Sequence, residues 1–442
     1  MGPTDTVYDR ERATCCDRGA SPCSCCCRRH VLAPQVLSTV QTAKCVVVRW
    51  RPCSQMSVRL VSGVCVLCST SLSASTFPSY VCVWACVRAA SHIYTRGRAA
   101  QTMDFARKLL QHTIHGTSAH SLLDSCLRVD ASTLHIRGDC ELGGVVDTDI
   151  RIPVREMDAV AVLGYGKVSA EMVAAVAAAL TPLHPDTIAL AVTKYRGGQI
   201  CAFPVLEAGH PIPDTNSVSA CDTVVETLSR AFEPTADGVC KENVLLIHCI
   251  SGGGSALLCK PAPPFTLPQI QQLHRAVLQE GAPIEVANTL RSQLDSWKFG
   301  GLVDTLACLQ HRHRVRNCVS VSLILSDIVS STQQELQFIA SGPTVSTEFL
   351  RHFYSNFQPY QLPMDQFVQR YNIHKYVDPD TVQLLHTTQS TGVHCEQVAP
   401  AYCYAVHSTF EQLTHCSSTT HVYNVLVGTN RSAALLAQQF AA

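Results

Sequence analysis

The middle of the chain alternates between short, uninterrupted apolar runs and longer segments in which apolar residues recur every three or four positions. Uninterrupted runs are typical of strands buried on both faces of a sheet, and the longer spacing is typical of amphipathic helices. The runs occupy residues 159–163, 187–193, 243–250 and 319–325. The predicted helices between and after them occupy Ser169–Leu180, 218–232, Leu267–Gln279 and 284–297.

Strands that alternate with helices in this way predict an α/β fold. We expect a Rossmann-like, doubly wound, mostly parallel sheet with helices on both faces. Ahead of it, helical spacing covers 105–126, and 134–136 and 145–152 predict short strands. Near the end, 421–430 predicts a strand and a turn, and a helix begins at 431.

Three turns follow predicted strands directly. They read GYGK at 164–167 (the lysine turn), SGGGS at 251–255 (the glycine turn) and SD at 326–327. Parallel strands bring their carboxyl ends to one edge of the sheet, where doubly wound folds form their binding sites. The sequence therefore predicts a functional site at this edge.

The glycine turn consists of Ser251, Gly252, Gly253, Gly254 and Ser255. Bare backbone N–H groups before a helix can hold a phosphate or another anion. The oxyanion hole of an acyl hydrolase is a second interpretation, but no GxSxG nucleophile elbow follows in the sequence. A tight packing turn is the third, and it would need only one or two glycines. We favour an anion site.

Polar side chains near these turns are candidate ligands. Lys167 stands at a predicted helix start, where the helix dipole disfavours a cation, so it is either held by an anion or a carboxylate or simply solvated. Asn288 and Arg291 share a helix face with Lys298 just beyond, and they suit a carboxylate or a phosphate unless that face is merely exposed. Asp327 would bind hydrated magnesium or cap a helix.

Composition changes near residue 102. The 442-residue chain balances 34 Lys and Arg against 34 Asp and Glu, so no net charge favours nucleic acid or an anionic membrane. Residues 1–102 hold 12 of the 24 cysteines, and no acidic residue lies between Asp17 and Asp104. An organelle transit segment has such a composition. We favour the interpretation that 1–102 is unstructured sequence wrongly joined to the gene, with Met103 as the start.

No apolar run reaches the roughly 18 residues that a membrane-spanning helix needs. The cysteines after residue 102 are scattered singly, which is typical of reduced thiols rather than of a disulfide framework. We therefore expect a cytoplasmic or mitochondrial protein with neither a nucleic-acid nor a membrane partner.

Six phrases follow one another in an order that resembles a known family. They are VLGYGKVSAEM, EAGHPIPD, LLIHCISGGGSALL, the spaced set of Asn288, Arg291 and Lys298, SLILSDIV and IASGPTV. Together they resemble the amino-terminal domain of the glycerate kinases that carry a MOFRL carboxyl-terminal domain. The later stretches VQRYNIHKYVD and HVYNVLVGTN are similar, more weakly, to the animal form of that enzyme.

The resemblance implies phosphorylation of D-glycerate to phosphoglycerate with ATP and Mg²⁺. It implies a Rossmann-like first domain at 103–358, the start of a following region at 359–442, and a cleft that faces a second domain. By the same resemblance, Lys167 matches the family's essential lysine and residues 251–255 match its glycine loop. The family's polar cleft residues match Asn288, Arg291, Lys298 and Asp327. We hypothesise that Arg291 or Lys298 binds the glycerate carboxylate while Lys167 stabilises the transferring phosphoryl group.

The chain departs from the family pattern at three places. The family has paired glycines directly after the lysine, whereas Phe299 follows Lys298 here and is expected to crowd the backbone. SDIVSSTQQ stands where the family has SDVxGDP, and Ala442 ends the chain before the second catalytic domain. Because half a cleft neither excludes water nor aligns two substrates, we expect little or no kinase activity from the chain as written. A catalytically inactive protein that binds an anion or a nucleotide is the alternative function.

Overall fold

The computed structural model describes residues 44–49, 57–62, 99–138, 148–197, 201–328, 335–353, 363–387, 402–404, 407–408 and 419–441. The chain divides into two units, Met1–Val64 and Cys65–Ala442. In the first unit, strands β1 (Lys44–Arg49) and β2 (Ser57–Ser62) pair as an antiparallel hairpin. The remaining residues up to 98, which we expected to be unstructured, lie outside the described ranges.

The second unit contains two sheets. The smaller one joins β3 (Leu127–Asp130), β4 (Thr133–Gly138) and β5 (Thr148–Pro153) in antiparallel pairs, and β12 (His407–Ser408) pairs with β5. The larger sheet has seven strands. In chain order they are β6 (Ala159–Tyr165), β7 (Ile188–Lys194), β8 (Val205–Ala208), β9 (Asn243–Ser251), β10 (Asn317–Leu325), β11 (Tyr402–Tyr404) and β13 (Thr419–Gly428).

Every neighbouring pair in the larger sheet is parallel, and the spatial order is β11-β13-β10-β9-β6-β7-β8. The chain proceeds from β6 outward to β8 and then returns to place β9 on the other side of β6. The order therefore reverses between β6 and β9, and this switch point is where doubly wound sheets bind ligands. The predicted α/β fold class is confirmed.

Helices cover both faces of this sheet, among them α3 and α4. The described helices are α1 (Ala99–Gly116), α2 (Ala119–Cys126), α3 (Ser169–Leu180), α4 (Thr215–Phe232), α5 (Gly254–Leu257), α6 (Leu267–Gln279), α7 (Ile284–Leu294), α8 (Gly301–His313), α9 (Thr347–Phe353), α10 (Met364–Arg370), α11 (Pro379–Thr387) and α12 (Asn430–Ala441). None of these described helices is long and apolar enough to cross a membrane.

Strand β6 shows why its sequence is apolar throughout. Leu163 and Tyr165 pack into a core that includes residues of α4, whereas Val160 and Val162 pack into a second core that includes residues of α3. Successive side chains of a strand point to opposite faces, so a strand covered on both faces needs no polar position. A third apolar cluster joins α6, α7, α10 and α11.

The carboxyl-terminal strand belongs to the larger sheet. Strand β13 pairs with β10 from Asn317 opposite Thr419 onward, and Phe440 of α12 lies 5.9 Å from Phe105 of α1 between ring centroids. Strand β13, which lies beyond residue 358, therefore belongs to the same sheet as the strands that precede it.

A tyrosine–histidine pair is buried beneath the switch point. The hydroxyl of Tyr165 on β6 and Nδ1 of His248 on β9 are 3.1 Å apart, and both residues are fully buried. Burial lowers the pKa of His248 to about 3, so the folded protein holds this imidazole neutral.

A His248→Gln variant is expected to make stability less dependent on pH. Below about pH 6.5 this histidine becomes protonated in the unfolded chain, whereas in the folded protein it stays neutral down to about pH 3. The free energy of unfolding therefore decreases as the pH falls through that window. Removing this histidine reduces the slope of the free energy of unfolding against pH by at most about 1.4 kcal/mol per pH unit. Urea unfolding at pH 7, 5.5 and 4.5 measures the slope. His120→Gln, at an exposed histidine, is the control, and equal slopes in both variants would contradict the assignment.

Candidate active site

The lysine turn and the glycine turn are bonded to each other at the switch point. Gly166 has a φ of +142°, and a Cβ on it would lie 2.1 Å from Ser251 Oγ and 2.5 Å from the Ser251 carbonyl oxygen. The backbone N–H of Lys167 donates to the Gly252 carbonyl at 3.0 Å, and that of Val168 donates to Ser251 Oγ at 3.3 Å. Only glycine at 166 permits this close approach.

Lys167 forms an ion pair across the glycine turn. Its Nζ lies 3.4 Å from Asp327 Oδ2, and each side chain is 33% exposed, so both groups reach solvent. A Cβ on Gly252 would lie 2.0 Å from the same carboxylate oxygen. The glycine thus lets the Asp327 carboxylate, just beyond the end of β10, lie directly against the turn. We expected Lys167 to be held by an anion or a carboxylate, and in the structure Asp327 is that carboxylate.

His210 and Lys167 flank Gly253 from two sides. A Cβ on Gly253, whose φ is +90°, would lie 3.0 Å from Lys167 Cγ and 3.1 Å from His210 Cδ2. Partial desolvation of the imidazole, together with the charges of Lys167 and Lys194, lowers the pKa of His210 to about 4. His210 is therefore neutral at pH 7, beside a glycine turn that faces more than one cation.

A hydrogen-bonded chain runs from the glycine turn to helix α7. The hydroxyls of Ser255 and Ser341 lie 2.9 Å apart, and Ser341 Oγ donates to Asn288 Oδ1 at 2.8 Å. Arg291 Nη1 donates to the same oxygen at 3.0 Å. Desolvation lowers the pKa of Arg291 to about 10, which leaves the guanidinium charged at neutral pH.

Asn288 keeps one donor group unused. The residue is fully buried, and its Nδ2 has no hydrogen-bond partner among the described residues. A buried polar group without a partner costs free energy and calls for a reason. An N–H₂ group beside an arginine supplies the donors that a carboxylate or a phosphate accepts.

Lys298 lies apart from this arrangement. Its side chain is 2% exposed, its Nζ is 3.4 Å from Asp295 Oδ2, and it donates a hydrogen bond to the Leu258 carbonyl. Asp295 in turn accepts from the Trp297 backbone N–H at 2.9 Å. The structure thus shows Lys298 as half of a buried ion pair between α7 and α8, whereas the sequence had suggested a ligand in the cleft.

Phe299 occupies a backbone conformation that favours glycine. Its φ is +51°, and its N–H donates at 3.0 Å to the carbonyl of Ser341, which itself lies in a left-handed turn with Ala340 and Gly342. A non-glycine residue in this region costs about 1 kcal/mol. The expected crowding at Phe299 therefore takes the form of a strained φ, in a segment that positions Ser341 next to Asn288.

The sequence matches one known protein family. The family described as a domain of unknown function, DUF4147, matches residues 105–371, which is more than half of the chain. The chain belongs to the DUF4147 family.

Relatives of this DUF4147 chain carry two kinds of name. A putative hydroxypyruvate reductase of Agrobacterium vitis is 36% identical over 191 residues, which cover 42% of this chain and 43% of the relative. D-glycerate 2-kinase of Thermotoga maritima is 31% identical over 192 residues, covering 43% and 41%. Human glycerate kinase is 42% identical over 136 residues, covering 31% and 22%. The chain spans less than half the length of these curated relatives.

Most of the residues singled out in the DUF4147 sequence come together. Lys167, Asp327 and the glycine turn meet at the switch point, and the serine chain connects them to Asn288 and Arg291. Two residues that sequence reasoning missed also contact these groups: His210 and Ser341. They stand inside the phrases EAGHPIPD and IASGPTV, so their positions were visible even though their contacts were not.

A Lys298→Met variant is expected to lose about 3 kcal/mol of stability, because it leaves the Asp295 carboxylate buried without its counter-charge. Adding Asp295→Asn, which retains an acceptor for the Trp297 N–H, should recover more than half of the loss. Urea unfolding measures both variants. Glycerate affinity of the folded protein, measured by titration calorimetry, should stay within twofold of the parent. A tenfold loss of glycerate affinity at unchanged stability would instead support the carboxylate-binding role that the sequence suggested.

Proposed function

We propose that this chain supplies the amino-terminal part of a MOFRL-type glycerate kinase, which phosphorylates D-glycerate with ATP. The observation that carries the proposal is the Lys167–Asp327 pair against the glycine turn, with the half-buried Arg291 and the buried Asn288 connected to it through two serines. Phosphoryl transfer depends chiefly on positioning and charge neutralisation, and this arrangement offers both. The names of two of the relatives support the same activity.

We assign the nucleotide phosphates to the glycine turn and Lys167. The turn lies at the carboxyl ends of β9 and β6, and the side chains of Lys167, His210 and Asp327 pack against its glycines. Lys167 reaches solvent beside it and supplies a positive charge for the γ-phosphoryl group. Its partner Asp327 fixes the orientation of the ammonium until a phosphate shares it.

We assign the glycerate carboxylate to Arg291 and Asn288. The sequence left open whether Arg291 or Lys298 performs this role, and the engagement of Lys298 by Asp295 favours Arg291. A carboxylate would satisfy the unused Nδ2 of Asn288 together with the remaining guanidinium donors. The site would thus recognise a small hydroxy acid through its charged end.

The reaction joins these two subsites. The glycerate hydroxyl oxygen forms a bond to the γ-phosphorus, the bond from that phosphorus to the bridging oxygen breaks, and ADP leaves. The hydroxyl proton needs an acceptor, and we assign it to His210, which is neutral at pH 7 and lies beside Lys167.

The donor set also fits magnesium that arrives with the nucleotide. Among the described residues, no three His, Cys, Asp or Glu side chains are arranged to hold a metal ion. Magnesium needs only one or two protein carboxylates when water and phosphate supply its other ligands. Asp327 offers one carboxylate at the glycine turn and would hold the ion, which would neutralise phosphate charge.

The residues of the lysine turn and of the end of β7 do not match the coenzyme site that a dinucleotide-dependent reductase needs. The dinucleotide fingerprint needs a third glycine in the first turn and an acidic residue that accepts from a ribose hydroxyl near the end of the second strand. In this chain Ser169 stands in place of that glycine, and Lys194 ends β7. A lysine donates hydrogen bonds and accepts none, so the kinase assignment is favoured over the reductase one.

The experiment is a set of assays on the purified 442-residue chain. ATP binding is measured by titration calorimetry, glycerate-dependent ADP release by a coupled assay, and oxidation of NADH or NADPH with hydroxypyruvate by absorbance. ATP binding with little or no ADP release is the result expected of an amino-terminal part alone, and it supports the proposal. Rapid glycerate-dependent ADP release would support the kinase activity and contradict the expectation that this chain turns over little or no substrate. Nucleotide-coenzyme oxidation without ATP binding would overturn the proposal in favour of a reductase.

A further inference from the structure

One aromatic ring at the edge of the site is exposed and yet held in place. Tyr195 directly follows the last residue of β7 and is 48% exposed. Its hydroxyl donates to Asp214 Oδ2 at 2.5 Å and accepts from Asn216 Nδ2 at 3.0 Å. Two hydrogen bonds at the tip fix the orientation of a ring whose surface faces solvent.

A continuous series of contacts connects this ring to the glycine turn. Asp214 is the N-cap of α4, and a Cβ on Gly209 would lie 2.8 Å from its carboxyl carbon. His210 comes next in the chain and flanks Gly253. On the other side, Tyr195 adjoins Lys194, whose charge acts on His210. The ring therefore borders the same cleft as Lys167.

The spacing of the strands suits a nucleotide laid across them. The glycine turn ends β9, Tyr195 follows β7, and only β6 separates these two strands in the sheet. Two strand spacings amount to about 10 Å, which is within the reach of a nucleoside triphosphate that is anchored by its phosphates. Doubly wound sheets place a nucleotide across the carboxyl ends of their strands at this switch point.

We propose that Tyr195 is the stacking surface for the base of the nucleotide whose phosphates occupy the glycine turn. This inference rests on the proposed use of ATP. Aromatic rings bind bases of any sequence by stacking, since every base has a flat π-face. A ring that is already oriented loses little side-chain entropy when the base arrives, and this increases affinity. Its two hydrogen bonds account for the orientation of the ring, and stacking accounts for its exposure beside the cleft.

Calorimetric titration of the full chain with ATP and with inorganic tripolyphosphate tests the proposal. Tyr195→Ala should weaken ATP binding by about tenfold, which corresponds to about 1.4 kcal/mol, and leave tripolyphosphate affinity within twofold. Tyr195→Phe keeps the ring and should lose no more than threefold. Tyr376→Ala is the matched control, because Tyr376 is also held by a carboxylate, that of Glu280, and lies near α10 and α11. It should change neither affinity.

The outcomes separate this inference from the function on which it rests. If the parent chain bound ATP no more tightly than tripolyphosphate, the stacking role would be overturned and the anion site would stand. A parent chain that binds neither would overturn both. An ATP affinity in Tyr195→Ala equal to that of the parent, or equal losses for ATP and tripolyphosphate, would overturn the stacking role alone. Circular dichroism of each variant verifies that the fold is retained.

Discussion

A Gly166→Ala variant is expected to lose about 3 kcal/mol of stability and most of its affinity for ATP. The new Cβ would lie 2.1 Å from Ser251 Oγ and 2.5 Å from the Ser251 carbonyl oxygen. The hydroxyl could rotate away, but the carbonyl belongs to the end of β9 and moves only with the strand. Overpacking of this kind typically costs about 1–3 kcal/mol, and the φ of +142° adds strain for any residue with a Cβ.

Gly238→Ala is the matched control for this variant. Gly238 also has a positive φ, +77°, but nothing lies within 4 Å of the place that a Cβ would take. Its loss should therefore be limited to about 1 kcal/mol of backbone strain, with ATP affinity unchanged. Urea unfolding and ATP titration of both variants make the comparison. If the two variants lost equal stability, the close approach of the lysine turn to the glycine turn would not be the reason that residue 166 must be glycine.

A Lys167→Ala variant is expected to bind ATP about 30-fold more weakly than the parent. Lys167 is the cation next to the glycine turn, and a hydrogen bond to a charged group contributes about 2 kcal/mol. The loss would also leave Asp327 without its counter-charge beside the phosphates, and like charges at short range repel. Lys167→Arg retains the charge with a different geometry, so an intermediate loss is expected.

Lys108→Ala serves as the control for Lys167→Ala. Lys108 pairs with Asp104 at 2.9 Å on the exposed face of α1, so it repeats the lysine–aspartate pair away from the site. Its removal should change ATP affinity by less than twofold, because exposed pairs contribute little. Titration of the three variants under the same salt concentration completes the test. If Lys167→Ala kept ATP affinity within threefold of the parent, the phosphate role of this lysine would be wrong.

Much of the larger sheet could be predicted because burial on both faces removes ambiguity. Helices Ser169–Leu180 and Leu267–Gln279 have the predicted bounds, and the four apolar runs are strands β6, β7, β9 and β10. Strand β8 was missed because it has only four residues and lies at the edge of the sheet. Helix α8 begins at Gly301, and the paired glycines there concealed the helix that follows.

The proximity of the candidate residues was predictable, and their contacts were less so. Lys167 and Asp327 were each placed at the carboxyl end of a strand, and strand order in a parallel sheet then brings them together. The sequence could not show that Asp295, three residues before Lys298, would bind its ammonium, because the pair depends on how the turn between α7 and α8 folds and buries both side chains. Tyr195 and His210 were missed because their roles depend on how the β8–α4 loop folds over the glycine turn.

The order of the strands has a consequence for how the protein acquires its function during synthesis. Lys167 leaves the ribosome 160 residues before Asp327. Strand β9 takes its place beside β6, and β10 beside β9, only after β7 and β8 have been made. A nascent chain that has reached β8 therefore displays the lysine turn without the glycine turn that it bonds to. A ligand stabilises only the state that binds it. Nucleotide would thus not stabilise partly synthesised chains. Its stabilising effect would begin only when the sheet has formed through β10.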